Sequence, residues 1–368
     1  ISTDALVFDS AKISSDMWVT FQEGLLYSVQ AEVQALTLEA EGSEDSSLNA
    51  LALQNASMGL TLSHDSPDQW QVWLDDVQFD WQSRPWDFSS LYLDYRQEDE
   101  LRPLDIQANS IELAMTYDIV DDLLMLPQGA VDALNDLTPS GALTNLHVKT
   151  ELNGNYEDGF LLQGNLDNVP VGAWQGAPAA QGIQGYVQAS VSKGLVELDS
   201  RDFEIHLPQL FTDSWQFDSA SSRVHWRLQD DIIHVNSSVN DVSNESIHGH
   251  VQFDLYNHRD STGQMQSELT LLIGVLELDV AYKSFLLPNM ENIQSTLDWV
   301  EEALLSGLIT NSGFVSRTST RSDAPLNSGT VMSFYHIEDG DLKFQPEWPV
   351  LEEIKAFVKV DNNEVDVS

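Results

Sequence analysis

Residues 286–315 read LLPNMENIQSTLDWVEEALLSGLITNSGFV. After Pro288, apolar residues recur at helical spacing, and they are Ile293, Leu297, Val300 and Leu304. Asn289 suits the N-cap of such a helix, and Gly307 suits the C′ position that ends it after Leu305. The alternating residues 308–315 then predict a strand. This stretch therefore predicts a helical joint between two parts of a β-sheet.

The same order of parts occurs earlier in the chain. Met125, Leu126 and Pro127 precede a short run with helical spacing, formed by Val131, Leu134 and Leu137. Residues 139–141, Pro-Ser-Gly, end that helix, and residues 143–148 predict the next strand. The two joints divide the chain into three segments, a β-groove segment at 1–118, a joint with a β-groove repeat at 119–285, and a joint with the start of the next groove segment at 286–368.

Most of the remaining chain alternates between apolar and polar residues. Tyr27, Val29, Ala31, Val33 and Ala35 share one face of a strand, whereas Ser28, Gln30, Glu32 and Gln34 share the other. Turn clusters separate such runs every 10 to 15 residues or so, with no long helix between them, which is typical of an antiparallel meander.

This pattern predicts a sheet with one wet face and one apolar face. The apolar face must be hidden by closure of the sheet, by a second sheet, or by an apolar ligand. We therefore predict a mainly β fold, a long curved antiparallel sheet with a few short α-helical joints. This sheet forms an elongated hydrophobic groove if an apolar ligand is what covers its apolar face.

The composition excludes several classes of partner. With 59 acidic and 16 basic residues the formal net charge is −43, which argues against nucleic acid and against adhesion to anionic headgroups. Cysteine is absent, so disulfides and thiolate metal sites are excluded. No run approaches the ~18 apolar residues of a membrane span. Because the chain starts at Ile1 without a methionine, we expect it to be a piece of a longer protein.

No motif in the chain predicts catalysis, and we expect neither a cofactor nor a metal. His248 and His250 could hold a metal from one strand face, but no third ligand stands at a fixed spacing, so a solvent-facing pair is the preferred interpretation. Adjacent acids such as Asp75 and Asp76 point to opposite faces of a strand and cannot form a glycosidase pair by themselves. The tryptophans are better explained by packing than by a sugar platform.

Several runs of sequence carry a resemblance to a known family. They are residues 282–288 (YKSFLLP), 297–307 (LDWVEEALLSG), 342–349 (LKFQPEWP) and 360–365 (VDNNEV). Residues 126–127, 137–141, 182–185 and 194–198 fit the same pattern. From about residue 119 onward the chain resembles the AsmA-like superfamily and, within it, the YhdP branch.

The resemblance implies a large envelope protein of Gram-negative bacteria. Such proteins are anchored in the inner membrane by an N-terminal helix, which would lie outside this fragment, and they extend through the periplasm as a long twisted β-groove. The family is associated with moving phospholipid toward the outer membrane. The resemblance therefore implies an internal periplasmic segment without a catalytic role.

Our leading hypothesis is a non-enzymatic lipid conduit in which phospholipid acyl chains lie along the apolar face of the sheet. Three sets of alternating residues are the candidate groove lining: Val29, Ala31 and Val33; Val251, Phe253 and Leu255; and Leu269, Leu271, Ile273 and Val275. One alternative is a structural or adhesive β-protein whose apolar face is an ordinary closed core. The other is a carbohydrate-binding or carbohydrate-active β-protein, which requires two carboxylates about 5–10 Å apart in a cleft.

The elongated groove predicts a radius of gyration clearly above the ~20 Å of a compact chain of this length. Small-angle X-ray scattering of the purified chain measures this quantity. A value near ~20 Å would contradict an elongated molecule.

Overall fold

The computed structural model describes fifteen stretches of the chain. They are residues 6–42, 51–66, 68–81, 84–97, 102–114, 135–151, 160–174, 178–206, 211, 213–229, 232–259, 263–286, 294–319, 329–362 and 364–368. The chain divides into two compact units, with unit 1 formed by Ile1–Asp167 and Val187–Val191, and unit 2 by Asn168–Tyr186 and Ser192–Ser368.

Unit 1 is an antiparallel meander in which each strand pairs with the next one along the chain. Its strands are β1 Leu6–Gln22, β2 Leu25–Gly42, β3 Leu51–Ser66, β4 Gln69–Trp81, β5 Arg84–Arg96, β6 Pro103–Glu112, β7 Ala142–Glu151 and the first part of β8 Leu161–Val171. The turn between β1 and β2 is tight because Glu23 and Gly24 both adopt positive φ angles.

Unit 2 continues the same antiparallel order. Its strands are most of β9 Ala179–Ala189, then β10 Lys193–His206, β11 Trp215–Gln229, β12 Ile232–Ser237, β13 Asn240–Ser243, β14 Ile247–Arg259, β15 Met265–Asp279, β16 Leu304–Ser319, β17 Thr330–Leu342, β18 Leu351–Asp361 and β19 Glu364–Val367. Strands β12 and β13 both lie between β11 and β14, so they act as one strand interrupted at residues 238–239. The predicted fold class, mainly β and antiparallel with few helical segments, is confirmed.

The joint predicted after Pro288 is described in part and is more elaborate than expected. Asn289 and Ile293, which were to begin its helix, lie outside the described residues. A 3₁₀ segment, Val280–Leu286, leaves β15, and the helix α1 covers Gln294–Ala303 before β16 begins. Leu297 is buried, as the helical pattern requires, and Val300 is half-buried. The Trp299 indole N–H donates to the Phe344 carbonyl oxygen at 3.1 Å, which fixes the helix to the chain after β17.

The predicted end of this helix is wrong by a short distance. Leu304 lies in β16 opposite Leu342, and Leu305 follows it in the strand. Gly307 does not end the helix, because it lies within β16 with a φ of 125°. A Cβ atom there would lie 2.8 Å from the Gly340 Cα atom, so this glycine permits a close approach of two strands.

The earlier joint is only partly described. Leu126, Pro127, Val131 and Leu134 lie outside the described residues, while Leu137 ends a described helical turn. The strand predicted at 143–148 is present as β7. The three-segment division at the joints stays a prediction, because the compact units do not bear on it.

In the part of the chain that the structure describes, no helix has both the length and the apolar character needed to cross a membrane.

Replacing Leu297 by aspartate should destabilise unit 2 by about 3 kcal/mol or more, because an unpaired carboxylate would be placed in a buried site. Thermal unfolding of the purified chain measures this change. Glu302→Ala on the exposed face of the same helix is the matched control and should leave the melting temperature nearly unchanged. A Leu297→Asp melting temperature within a degree or two of wild type would show that the helix does not support the fold.

Candidate functional site

A row of aliphatic side chains crosses unit 1 at right angles to its strands. Successive pairings of the antiparallel strands place one residue of each strand in the row. From β1 to β8 the row is Val19, Val29, Leu62, Val72, Leu93, Ile106, Val148 and Leu162. With a strand spacing near 4.8 Å, the row extends about 34 Å along the sheet.

A second row lies two residues away on the same face. From β1 to β7 it is Met17, Ala31, Leu60, Leu74, Leu91, Ala108 and Leu146. Together the two rows form a surface without a polar side chain, and we name it the aliphatic track. Seven of the eight side chains in the first row are half-buried, and Val19 at its end is 43% exposed. The aliphatic track is therefore shielded in part but remains within reach of an apolar ligand.

The opposite face of the same strands is polar and hydrogen-bonded across the sheet. The row directly behind the aliphatic track is Gln30, Thr61, Trp73, Tyr92, Gln107, His147 and Gln163. Gln71 Nε2 donates to the Tyr92 hydroxyl at 3.2 Å, and His147 Nε2 lies 2.9 Å from Asp105 Oδ1. Unit 1 thus has one wet face and one apolar face, as the alternating sequence predicted.

One carboxylate on the polar face is held in its charged form. Burial pushes the pKa of Asp94 upward, but hydrogen bonds from Arg96 and Gln69 outweigh it and bring the pKa below its ordinary value. Burial, together with the nearby Asp94 carboxylate, raises the pKa of Tyr92. At neutral pH Asp94 is therefore ionised and paired with Arg96, so the polar face holds a hydrogen-bonded ion pair.

The first predicted set of groove residues contributes to the aliphatic track. Val29 lies in the first row and Ala31 in the second. Val33 lies next on the same face, opposite Met58, and is buried. The sequence revealed the strands that hold Leu62, Val72 and Leu93 but not the row that joins them, since a row depends on strand register.

The other two predicted sets lie in unit 2 and face each other across β14 and β15. Val251 pairs with Ile273, Phe253 with Leu271, and Leu255 with Leu269. Gly249 stands opposite the remaining member, Val275. In the described structure the four β15 side chains are 2–6% exposed and belong to one large hydrophobic cluster.

This burial distinguishes the two units. Leucines on a sheet face without cover keep part of their surface in water, as Leu62 and Leu93 do in unit 1. The deep burial of Leu269 and Leu271 requires cover by other side chains of unit 2. Small buried hydroxyls at Ser312, Ser316 and Ser333 interrupt this face, so it is less uniform than the aliphatic track.

The geometry brings together no catalytic constellation in the described residues. His248 and His250 have ring centroids 6.1 Å apart, and His250 Nδ1 lies 2.7 Å from Asp241 Oδ1. No group of three or more metal-ligating side chains is found in the described part of the chain.

Because Ile273 is 6% exposed, Ile273→Arg should lower the free energy of unfolding by about 3–5 kcal/mol. A buried guanidinium would have no partner and no route to water. Leu276→Arg, on the same strand but 39% exposed, is the control and should change stability little. Chemical denaturation compares the two. A stable Ile273→Arg variant would show that this face opens readily to water.

Comparison with known proteins gives one family. A model of the family described as YhdP protein matches residues 4–368, nearly the whole chain. No curated protein and no solved structure matches the chain. The YhdP family is a family of envelope proteins and is not a known enzyme family. Membership of this family supports a general role in lipid transport in the envelope. Because the family model matches nearly the whole chain, the chain belongs to the YhdP family.

Proposed function

We propose that this chain is a non-enzymatic segment of a periplasmic conduit that carries phospholipid along an apolar groove between the inner and outer membranes. The aliphatic track of unit 1 is the observation that supports this proposal. Its first row is half-buried on seven strands and has no polar side chain. Acyl chains lie along it, and the headgroups stay in water at the edge of the sheet.

The free energy of binding along the aliphatic track favours movement of an acyl chain over tight binding at one place. Burial of an acyl chain releases about 0.8 kcal/mol for each CH₂ group removed from water. Val72, Leu93 and Ile106 are half-buried aliphatic side chains one strand apart, so a chain that slides loses one contact as it gains the next. A series of equivalent contacts gives binding without a single deep energy minimum.

The negative charge of the protein determines which part of a phospholipid it can bind. With a net charge of −43, the chain repels anionic headgroups, whose phosphate requires Lys or Arg for tight binding. The hydrocarbon is therefore the bound part of the lipid. This leaves the headgroup free to pass along the edge of the groove.

In unit 2 the proposed lining residues are Val251, Phe253 and Leu255 on β14 and Leu269, Leu271, Ile273 and Val275 on β15. Val251 and Phe253 are half-buried, whereas Leu255 and the four β15 residues are buried, so an acyl chain reaches the β15 residues only when the cover of this face separates. The same burial favours a second candidate role for unit 2, a closed structural core that supports the conduit. The proposal for unit 1 does not depend on which of these holds.

Ile106→Arg should reduce crosslinking of a photoactivatable phospholipid to the purified chain about tenfold, because the charge stands in the path of the acyl chain. The half-buried position lets the long side chain extend to water at modest cost in stability.

The control is Gln107→Arg, which adds the same charge to the next residue of β6 on the polar face. It should crosslink as wild type does. Equal crosslinking of a folded Ile106→Arg variant and of this control would exclude the aliphatic track as the lipid path.

A further inference from the structure

An apolar cleft lies on the outer face of the unit 2 sheet, opposite the face that carries Ile273 and Leu271. Its volume is about 580 Å³, and its lining is almost wholly apolar. The floor is formed by Gly274 and Gly313, and the walls by Leu272, Val315, Met332 and Phe334. We name it the outer cleft.

Strand register creates this cleft. Gly274 of β15 pairs directly with Gly313 of β16, so two neighbouring strands lack a side chain at the same place. The Phe334 ring lies over Gly313, where a Cβ atom would be 2.5 Å from the ring. Beside it, a Cβ atom on Gly274 would meet nothing within 4 Å. The pair therefore leaves a trough with one aromatic wall.

The walls are unusually exposed for their type. Leu272, Val315, Met332 and Phe334 are 40–48% exposed, whereas the inward residues of the same strands are buried. Polar residues such as Gln252, Asp254 and Thr270 occupy nearby outward positions. An apolar surface with a polar border is typical of a binding site.

The shape and chemistry of the cleft favour a hydrocarbon chain over a peptide. Strands β14 to β17 are hydrogen-bonded on both sides, and β18 pairs with β19 over Val358–Asp361 beside Lys359, so the backbone under the cleft has no free edge for an added strand. A peptide backbone in this trough would leave its amides unpaired, which is costly. From β14 to β18 the cleft extends about 19 Å, enough for one acyl chain of about 15 Å, half of a bilayer core.

A positive charge marks one end of the cleft. Lys359 lies opposite Phe334 on β18 and lines the outer cleft. Its register neighbour on β19 is Asp366, yet Lys359 forms no ion pair within 4 Å to any residue that the structure describes. An ammonium beside an apolar trough complements a chain that ends in a carboxylate.

We propose that the outer cleft binds one long-chain fatty acid, with its alkyl chain over Gly274 and its carboxylate at Lys359. The volume is closer to that of one alkyl chain than to that of two. This site is on a different unit and uses different residues from the aliphatic track, so it stands or fails independently of the proposed conduit.

The test uses the 368-residue chain and palmitate below its micelle concentration, with binding followed by calorimetry. A Cβ atom at Gly274 meets nothing within 4 Å and the φ angle there is not strained, so Gly274→Leu should fill the trough and weaken palmitate binding at least about tenfold while the chain stays folded. Thr270→Leu, on the same face of β15 but outside the cleft, is the matched control and should bind as wild type does.

The charge is tested separately. Lys359→Gln should weaken palmitate binding about 2- to 5-fold, as expected for a solvent-exposed ion pair, and leave binding of the neutral hexadecanol unchanged. If Lys359→Gln weakened the binding of palmitate and of hexadecanol to the same degree, Lys359 would not be the partner of the carboxylate.

Three results would overturn the proposal. They are palmitate binding that Gly274→Leu does not weaken, palmitate binding that Ile106→Arg abolishes instead, and a dimer in analytical ultracentrifugation that only Gly274→Leu dissociates. The second would support the aliphatic track as the lipid site, and the third would identify the cleft as an interface between two copies. Failure of the conduit proposal, shown by unchanged crosslinking in Ile106→Arg, would leave palmitate binding at the outer cleft intact.

Discussion

The backbone hydrogen bonding of an antiparallel meander is the constraint on which the rest of this structure depends. Each strand of unit 1 pairs with its neighbours in sequence, which fixes the alternation of side chains between two faces. Once register is set, Leu62, Val72 and Leu93 must fall in line, because each is the partner of the next. The same ladder sends Thr61, Trp73 and Tyr92 to the wet face. A long apolar row is thus a direct product of strand pairing and requires no convergence of distant loops.

The two units resolve the problem of an apolar sheet face differently. In unit 2 the residues Leu269 and Leu271 are sealed within a large cluster, so that face contributes to stability in the manner of an ordinary core. In unit 1 the first row of the aliphatic track is half-buried from β2 to β8, so part of its apolar surface remains in contact with water, although Ala31, Ala108 and Leu146 of the second row are buried. An acyl chain that covers this surface gains free energy for each CH₂ group removed from water. In the proposed conduit, the incomplete burial of this face is the property that makes it available to an acyl chain.

Alternation alone was sufficient to predict the antiparallel β fold and the shared face of Val29, Ala31 and Val33, because side-chain direction has a period of two. The joint was predicted from Leu297 at helical spacing, but its end was not, since Leu304 is equally apolar in a helix and in a strand. The full aliphatic track was beyond prediction. Its register depends on bulges such as the one between Val33 and Leu36, which no local pattern reveals. The outer cleft was missed for the same reason, although Gly274 and Gly313 within apolar strands were a visible signal.

The most direct test of the lipid path is a photocrosslinking scan of β5, with a photoreactive amino acid placed in turn at Leu91, Tyr92, Leu93 and Asp94. Leu91 and Leu93 belong to the aliphatic track, and Tyr92 and Asp94 face the opposite side. Our account predicts that phospholipid crosslinks at positions 91 and 93 and not at 92 and 94. Equal crosslinking at all four positions, or crosslinking at 92 and 94 alone, would contradict it.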